Sequence, residues 1–337
     1  MQMRSGIDFI GDGQDEIEAM HRDLASLSLL RQVYLGAPQD VFELIVYRNF
    51  QLNERERGRG SLNAFRLANK RFKQVVESCT TRLTSPKGDG PDSLPVSIME
   101  RCRGIQVILC FSHNLRSLEG CSDRLKKLWI ARAPHLSDLS PLASCSMMQD
   151  LRIQNTSITD LSVVASMPLL EVFDCQREEG LASIKDLSPL SSCPRLYRLN
   201  VRGSEGLKDL SPLSACTALE VLEFTNCHSI TSLAPLLGLS KLKVLRCRDC
   251  PLVTNLSPLS SLINIHELDC GYCPIASLFP LSNLKNLQKL DCRFIDPQTS
   301  LLPLASCSGL KELECDEEAV DIDEIRNRMP QLKILAY

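Results

Sequence analysis

Apolar residues recur along this chain with a spacing longer than any single helix or strand. From about residue 105 onward the pattern L-x-x-L-x-φ, where φ is apolar or cysteine, returns in near-constant phase. It reads "LYRLNV" at 196–201, "LEVLEF" at 219–224, "LKVLRC" at 242–247 and "LQKLDC" at 287–292. Looser copies reach back to "IQVILC" at 105–110 and forward to "LKILAY" at 332–337. Between copies runs "LSPL" or a variant of it, with Pro141, Pro189, Pro212, Pro235, Pro258, Pro280 and Pro303. Successive prolines from Pro189 onward lie 23, 23, 23, 22 and 23 residues apart. One copy is lengthened around "REEG" at 177–180, and the total is about eleven copies of 20–26 residues.

Within each copy the alternation predicts a short strand, with positions 1, 4 and 6 of the pattern pointing inward and positions 3, 5 and 7 outward. A turn follows, and the chain returns through the proline segment, which needs no ladder hydrogen bonds. One copy cannot bury its apolar side alone, whereas stacked copies share a continuous core. The pattern resembles leucine-rich repeats, and "ITDLS" (158–162) with "DLSPL" is similar to their internalin class. That resemblance covers roughly residues 100–337. It implies an α/β solenoid, a horseshoe of about eleven turns, and it leaves the partner open because such solenoids serve many.

The same phase explains a sequence that reads otherwise as a metal site. Residues 247–273 contain C-x2-C, nineteen residues and C-x2-C, the spacing of a four-thiolate zinc centre. Yet Cys247 and Cys270 occupy position 6, as do Cys110, Cys175, Cys292 and Cys315. Cys250 and Cys273 lie three residues on, at the turn, where Cys227, Ser204 and Thr156 sit in neighbouring copies. Cys145, Cys193, Cys216 and Cys307 form a further row, four residues after the repeat proline or its equivalent. These are expected to be buried free thiols and turn residues, with no metal or other cofactor.

Residues 1–93 carry no copy of the repeat. The expected organisation is an N-terminal helical extension (1–36), a small all-α module (37–83), a linker rich in turn formers (84–93) and the solenoid (94–337). "APQDVFELIVYRNF" (37–50) and "SLNAFRLANKRFKQVVESCTTRL" (61–83) read as helices. With Pro38, Asp40, Val41, Leu44, Ile45, Leu62, Phe65, Leu67, Phe72 and Val75 at matching places, this module resembles an F-box. Ala37 stands where the family usually has leucine, and "NERERGRG" lengthens the spacer. The resemblance implies docking through these residues on the SKP-type adaptor of a cullin–RING ubiquitin ligase. The alternative is that the helices only cap the first turn of the solenoid.

Composition narrows the function further. The net charge of −3 gives no general attraction to nucleic acid or membrane, and the amino terminus shows no apolar leader core. Sixteen cysteines without such a leader point to a reducing compartment, cytoplasmic or nuclear. His21, His113, His135, His228 and His266 share no motif with a carboxylate or thiol. "ECDEEAVDIDEI" (314–325) lacks the ligand spacing and glycine of a calcium loop and reads as a charged capping helix. The chain is therefore expected to bind rather than catalyse. The outward strand residues Trp129, Arg152, Arg198, Arg202, Arg246, Arg248, Glu267, Asp269, Asp291, Arg293 and Glu314 would meet a protein target on the concave face. Their charge drifts from basic in the middle to acidic at the end.

Overall fold

The computed structural model describes residues 106–110, 113–121, 123–178 and 183–337, with the backbone of three short strands nearer the amino terminus. One sheet runs through the molecule, its strands hydrogen-bonded in chain order. The first three strands are β1 (Val33–Tyr34), β2 (Glu43–Ile45) and β3 (Arg82–Thr84). Eleven more belong to the repeats: β4 (Val107–Cys110), β5 (Lys127–Ala133), β6 (Asp150–Thr156), β7 (Val172–Asp174), β8 (Arg198–Asn200), β9 (Val221–Glu223), β10 (Val244–Arg246), β11 (Glu267–Asp269), β12 (Lys289–Asp291), β13 (Glu312–Cys315) and β14 (Lys333–Ala336). β1 pairs antiparallel with β2, and every later pair is parallel. Parallel neighbours with one core between strand and return segment are what a repeat of this length produces.

From β5 to β13 each return is a short 3-10 helix rather than an extended segment, as at Ser188–Ser192, Ser211–Ala215 and Ser257–Ser261, and all but Ser162–Ser166 carry proline in the first turn. Proline fits because the first N–H groups of such a helix have no internal partner. The helix is started by a side chain two residues before its first serine. Asp186 accepts the backbone N–H of Ser188 at 2.8 Å, Asp209 that of Ser211 at 2.8 Å, and Asn255 that of Ser257 at 2.8 Å. This accounts for the aspartate in "DLSPL". The core lies between strands and returns, where Leu199, Leu222, Leu245, Leu268, Leu290 and their partners in the 3-10 segments are fully buried.

Two expectations change. At "LKILAY" the pairing Leu313↔Ile334 and Cys315↔Ala336 turns Ile334 and Ala336 inward and puts Leu335 on the open face. The register is one residue off the L-x-x-L-x-φ reading. Five of those six residues are apolar, so alternation alone does not fix the face, and pairing with β13 decides it. At Glu43–Ile45 the backbone is strand where the 37–50 stretch reads as helix. The run "VFELIVY" there is β-branched and aromatic as well as helically spaced, and so suits either element. Arg82–Thr84 is likewise strand, where the 61–83 stretch reads as helix and the linker begins; the rest of the F-box-like module lies outside the described residues. At the other end, α1 (Ile322–Arg328) packs Ile322 and Ile325 on the core, as expected of a charged cap.

Candidate functional site

Strand pleating places positions 3, 5 and 7 of successive copies on the face away from the core, in lateral rows across β5 to β14. The strand register sets the expected outward residues in those rows, and ion pairs, hydrogen bonds or ring contacts hold their side chains, Arg198 and Arg202 excepted among the described residues. Arg152 makes two hydrogen bonds to Asp150, at 2.8 and 3.1 Å, and its guanidinium lies 5.2 Å from the Trp129 ring centre. Gln154 donates to Asp174 at 2.6 Å. Burial pushes the Asp174 carboxyl above its usual range. Arg198 and Arg202 are exposed, and neither makes a side-chain ion pair among the described residues.

From β9 onward the charges answer one another. Arg246 bridges Glu223 at 3.4 Å and Glu267 at 2.7 Å, on the two neighbouring strands. Asp269, Asp291 and Glu314 stand side by side in the position-5 row, an arrangement that like charges disfavour. Two arginines of the next row relieve it. Arg293 binds Asp291 at 2.6 Å and Glu314 at 2.9 Å, while Arg248 reaches Asp291 at 2.7 Å across a whole copy. Gly271 makes that reach possible, since a Cβ there would lie 3.1 Å from Asp291 Oδ1 and 3.3 Å from Arg248 Nη1. Among the described residues the Asp269 carboxylate accepts one hydrogen bond, from the N–H of Gly271 at 3.2 Å. Burial and the neighbouring Asp291 charge raise its pKa to about 6. The basic-to-acidic drift read from the sequence is thus largely an internal ion-pair network.

The rim where strands turn carries residues that strand periodicity does not single out. Position 8 adopts the left-handed conformation in copy after copy: Arg132, Asn155, Gly203, Asn226, Asp249, Tyr272 and Phe294 have φ between 52° and 75°. That conformation aims the N–H at the next strand's end, as from Asn226 to Arg248 O and from Asp249 to Gly271 O, both 2.9 Å. Glycine, asparagine and aspartate tolerate it. Arg132, Tyr272 and Phe294 do not belong to that set, and only the last two stand in neighbouring copies; this mismatch was visible in the sequence once the phase was known.

Next along each turn lies the thiol row. Cys227 donates to Val201 O at 3.6 Å, Cys250 to Phe224 O at 3.4 Å and Cys273 to Cys247 O at 3.0 Å, each one copy back. The apparent zinc motif is therefore two steps of a thiol–carbonyl ladder. Among the described residues no three His, Cys, Asp or Glu side chains converge to hold a metal ion. Burial pushes the Cys227 and Cys193 thiols up to about 12, and the Cys216 and Cys307 thiols to about 11. These thiols are poor nucleophiles. In the lengthened copy, Arg177 enters the core side of the turn. It is 4% exposed, and its Nη2 donates to Ile158 O at 3.0 Å while Nε and Nη1 have no partner among the described residues.

Comparison with known proteins agrees with this architecture. No family model matches the chain. Leucine-rich repeat-containing protein 56 of Rattus norvegicus is 28% identical over 135 residues, 39% of this chain and 23% of that protein. Its Homo sapiens counterpart is 34% identical over 94 residues, 27% of this chain and 16% of that protein. The chain therefore spans about a fifth of the length of these relatives. Among solved structures, an internalin (inlF) of Listeria monocytogenes superposes with a TM-score of 0.59 at 24% identity, over 78% of this chain and 68% of that one. Internalin C2 of the same organism gives 0.52 at 26% identity, over 61% and 89%. The functional domain of InlJ, also from Listeria monocytogenes and described as including a cysteine ladder, gives 0.55 at 22% identity, over 71% and 49%. Leucine-rich repeats are what these matches share, and the chain has a leucine-rich-repeat-like solenoid fold. Among the described residues no helix is long and apolar enough to cross a membrane.

Proposed function

We propose that this chain is a non-enzymatic protein-recognition scaffold. The observation that carries the reading is the surface itself: eleven strands in parallel register hold their outward side chains as one continuous array over a fully buried core. Arg198 and Arg202, exposed and without ion pairs among the described residues, are the positions of that array most available to an acidic partner. The buried, up-shifted thiols favour a reducing compartment, cytoplasmic or nuclear. A photo-crosslinking residue at Arg198 or Arg202 should capture a discrete set of proteins that the same residue at Ser260, on the opposite side, does not. Equal capture from both sides would sink the reading.

A second reading rests on the F-box-like positions Pro38, Asp40, Val41, Leu44, Ile45, Leu62, Phe65, Leu67, Phe72 and Val75. On it, residues 37–83 dock an SKP-type adaptor and cullin, and the solenoid presents a target for ubiquitin transfer by other subunits. Purified SKP adaptor should then bind the full chain and lose it when Pro38→Ala is combined with Ile45→Asp. No binding by the wild type leaves the scaffold reading with the N-terminal segment as a cap.

A further inference from the structure

Tyr272 and Phe294 sit in neighbouring copies at the left-handed rim position, with φ of 58° and 55°. Bulky side chains pay for that backbone unless something compensates, and burial does not, since the residues remain 42% and 51% exposed. Instead the rings are held against each other, centres 4.4 Å apart at 34°. The Arg248 guanidinium lies 4.6 Å from the Tyr272 ring centre and is itself fixed by Asp291 at 2.7 Å. The result is a rigid, half-exposed aromatic platform whose supports are already paired. Its flanks along the rim are acidic: Asp249 on one side, whose one ion-pair partner among the described residues is His228 at 3.7 Å, and exposed Glu317 on the other.

We propose that this platform docks an extended segment of a protein partner, with one apolar side chain on the two rings and a basic side chain about two residues to either side. The inference rests on the protein-recognition reading and adds a contact on the rim beside the open face. Rigid aromatics at little conformational cost are what interface anchors require. The spacing follows from strand geometry. Rim positions on adjacent strands lie about 4.8 Å apart, so Asp249 and Glu317 are separated by three steps, roughly 14 Å. An extended segment covers that distance in about four residues at ~3.4 Å each, which places the two basic side chains either side of the apolar one. Acidic flanks repel a phosphate backbone, and this argues against stacked bases as the occupant.

The probe is a dye-labelled peptide, Gly-Arg-Ser-Leu-Ser-Arg-Gly, titrated into the full chain at low salt and read by fluorescence anisotropy. Saturable binding should weaken roughly tenfold or more when the peptide arginines become glutamate, when its leucine becomes serine, or when the protein carries Tyr272→Asn with Phe294→Asn. Because asparagine suits the left-handed backbone, that double variant should unfold at or above the wild-type temperature. Tyr272→Phe should keep binding. The proposal is overturned if wild type does not bind, if the double variant binds as well, or if its unfolding temperature falls, which would make the rings structural. It is overturned also if a uridine decamer binds in preference to the peptide, or if wild type dimerises through these rings. Peptide binding that survives the double variant but is lost in Arg198→Glu with Arg202→Glu would move the site to the open face and leave the protein-recognition reading standing. Rim binding together with failed crosslinking from Arg198 and Arg202 would do the reverse.

Discussion

At the scale of single residues, Asp269 shows how placement rather than identity sets chemistry. Asp291 and Glu314, one and two strands away, have arginines at 2.6–2.9 Å, whereas Arg248 bonds past Asp269 to Asp291 and offsets the Asp269 charge only in part. Burial, then the Asp291 charge, raises the Asp269 pKa to about 6. The native state therefore holds its proton more tightly than the unfolded chain, whose aspartate titrates near 4. The stability this contributes is fully present below about pH 4 and is lost as pH rises through about 6. Asp269→Asn keeps an acceptor for the Gly271 N–H and removes the charge. It should be more stable than wild type at pH 7.5 by on the order of 1 kcal/mol, allowing for solvent screening, with the gap closing toward pH 4.5. Urea denaturation at the two pH values decides it, and an equal gap at both would refute the assignment. The identity of Asp269 as an outward residue was legible from alternation. Its poor compensation was not, because that depends on Arg248 crossing Gly271 to a residue forty-three positions away in sequence.

At the scale of the element, the return segments carry the opposite electrostatic sign. Asp186 accepts both the N–H of Ser188, at 2.8 Å, and its hydroxyl, at 2.7 Å, and Asp209 holds the N–H of Ser211 at 2.8 Å. For Asp186 the backbone bond chiefly, and for Asp209 the serine side chain chiefly, lowers the carboxyl below its usual range. Their contribution is complete above about pH 4 and is lost as pH falls through the lowered native values. Asp186→Ala with Asp209→Ala should lower Tm at pH 7 and cease to matter in strong acid. Asp186→Asn with Asp209→Asn should cost less at pH 7, because Asn255 already makes the same backbone bond to Ser257 at 2.8 Å. Thermal melts from pH 7 down to pH 2 provide the check. The repeat, its proline and the inward leucines were all readable as letters in phase. The capping role of the aspartate was present in "DLSPL" as a letter without a partner, since only the 3-10 geometry brings its oxygens to the serine.

At the scale of the molecule, each copy touches mainly its neighbours, so the chain behaves as a linear array of coupled units. Periodicity reveals such an array because every copy solves the same burial problem. It is silent about segments without the repeat, and about register where apolar residues crowd together, as in "LKILAY". Coupling is strongest where copies share both core and ladder. Leu222 in β9 is fully buried and paired laterally with Leu199 and Leu245. Leu222→Ala removes three buried carbon atoms and leaves a cavity that flanking copies can close only by shifting their own leucines, a cost of about 2–5 kcal/mol. In a globular domain that loss would lower one cooperative transition. In a linear array it weakens one central interface, so the copies on either side should begin to unfold separately. Hydrogen exchange read by mass spectrometry should show protection falling most around 199–245 in Leu222→Ala, with 267–315 keeping a distinct and higher protection. A uniform loss of protection across all copies would show instead that the solenoid folds as a single indivisible unit.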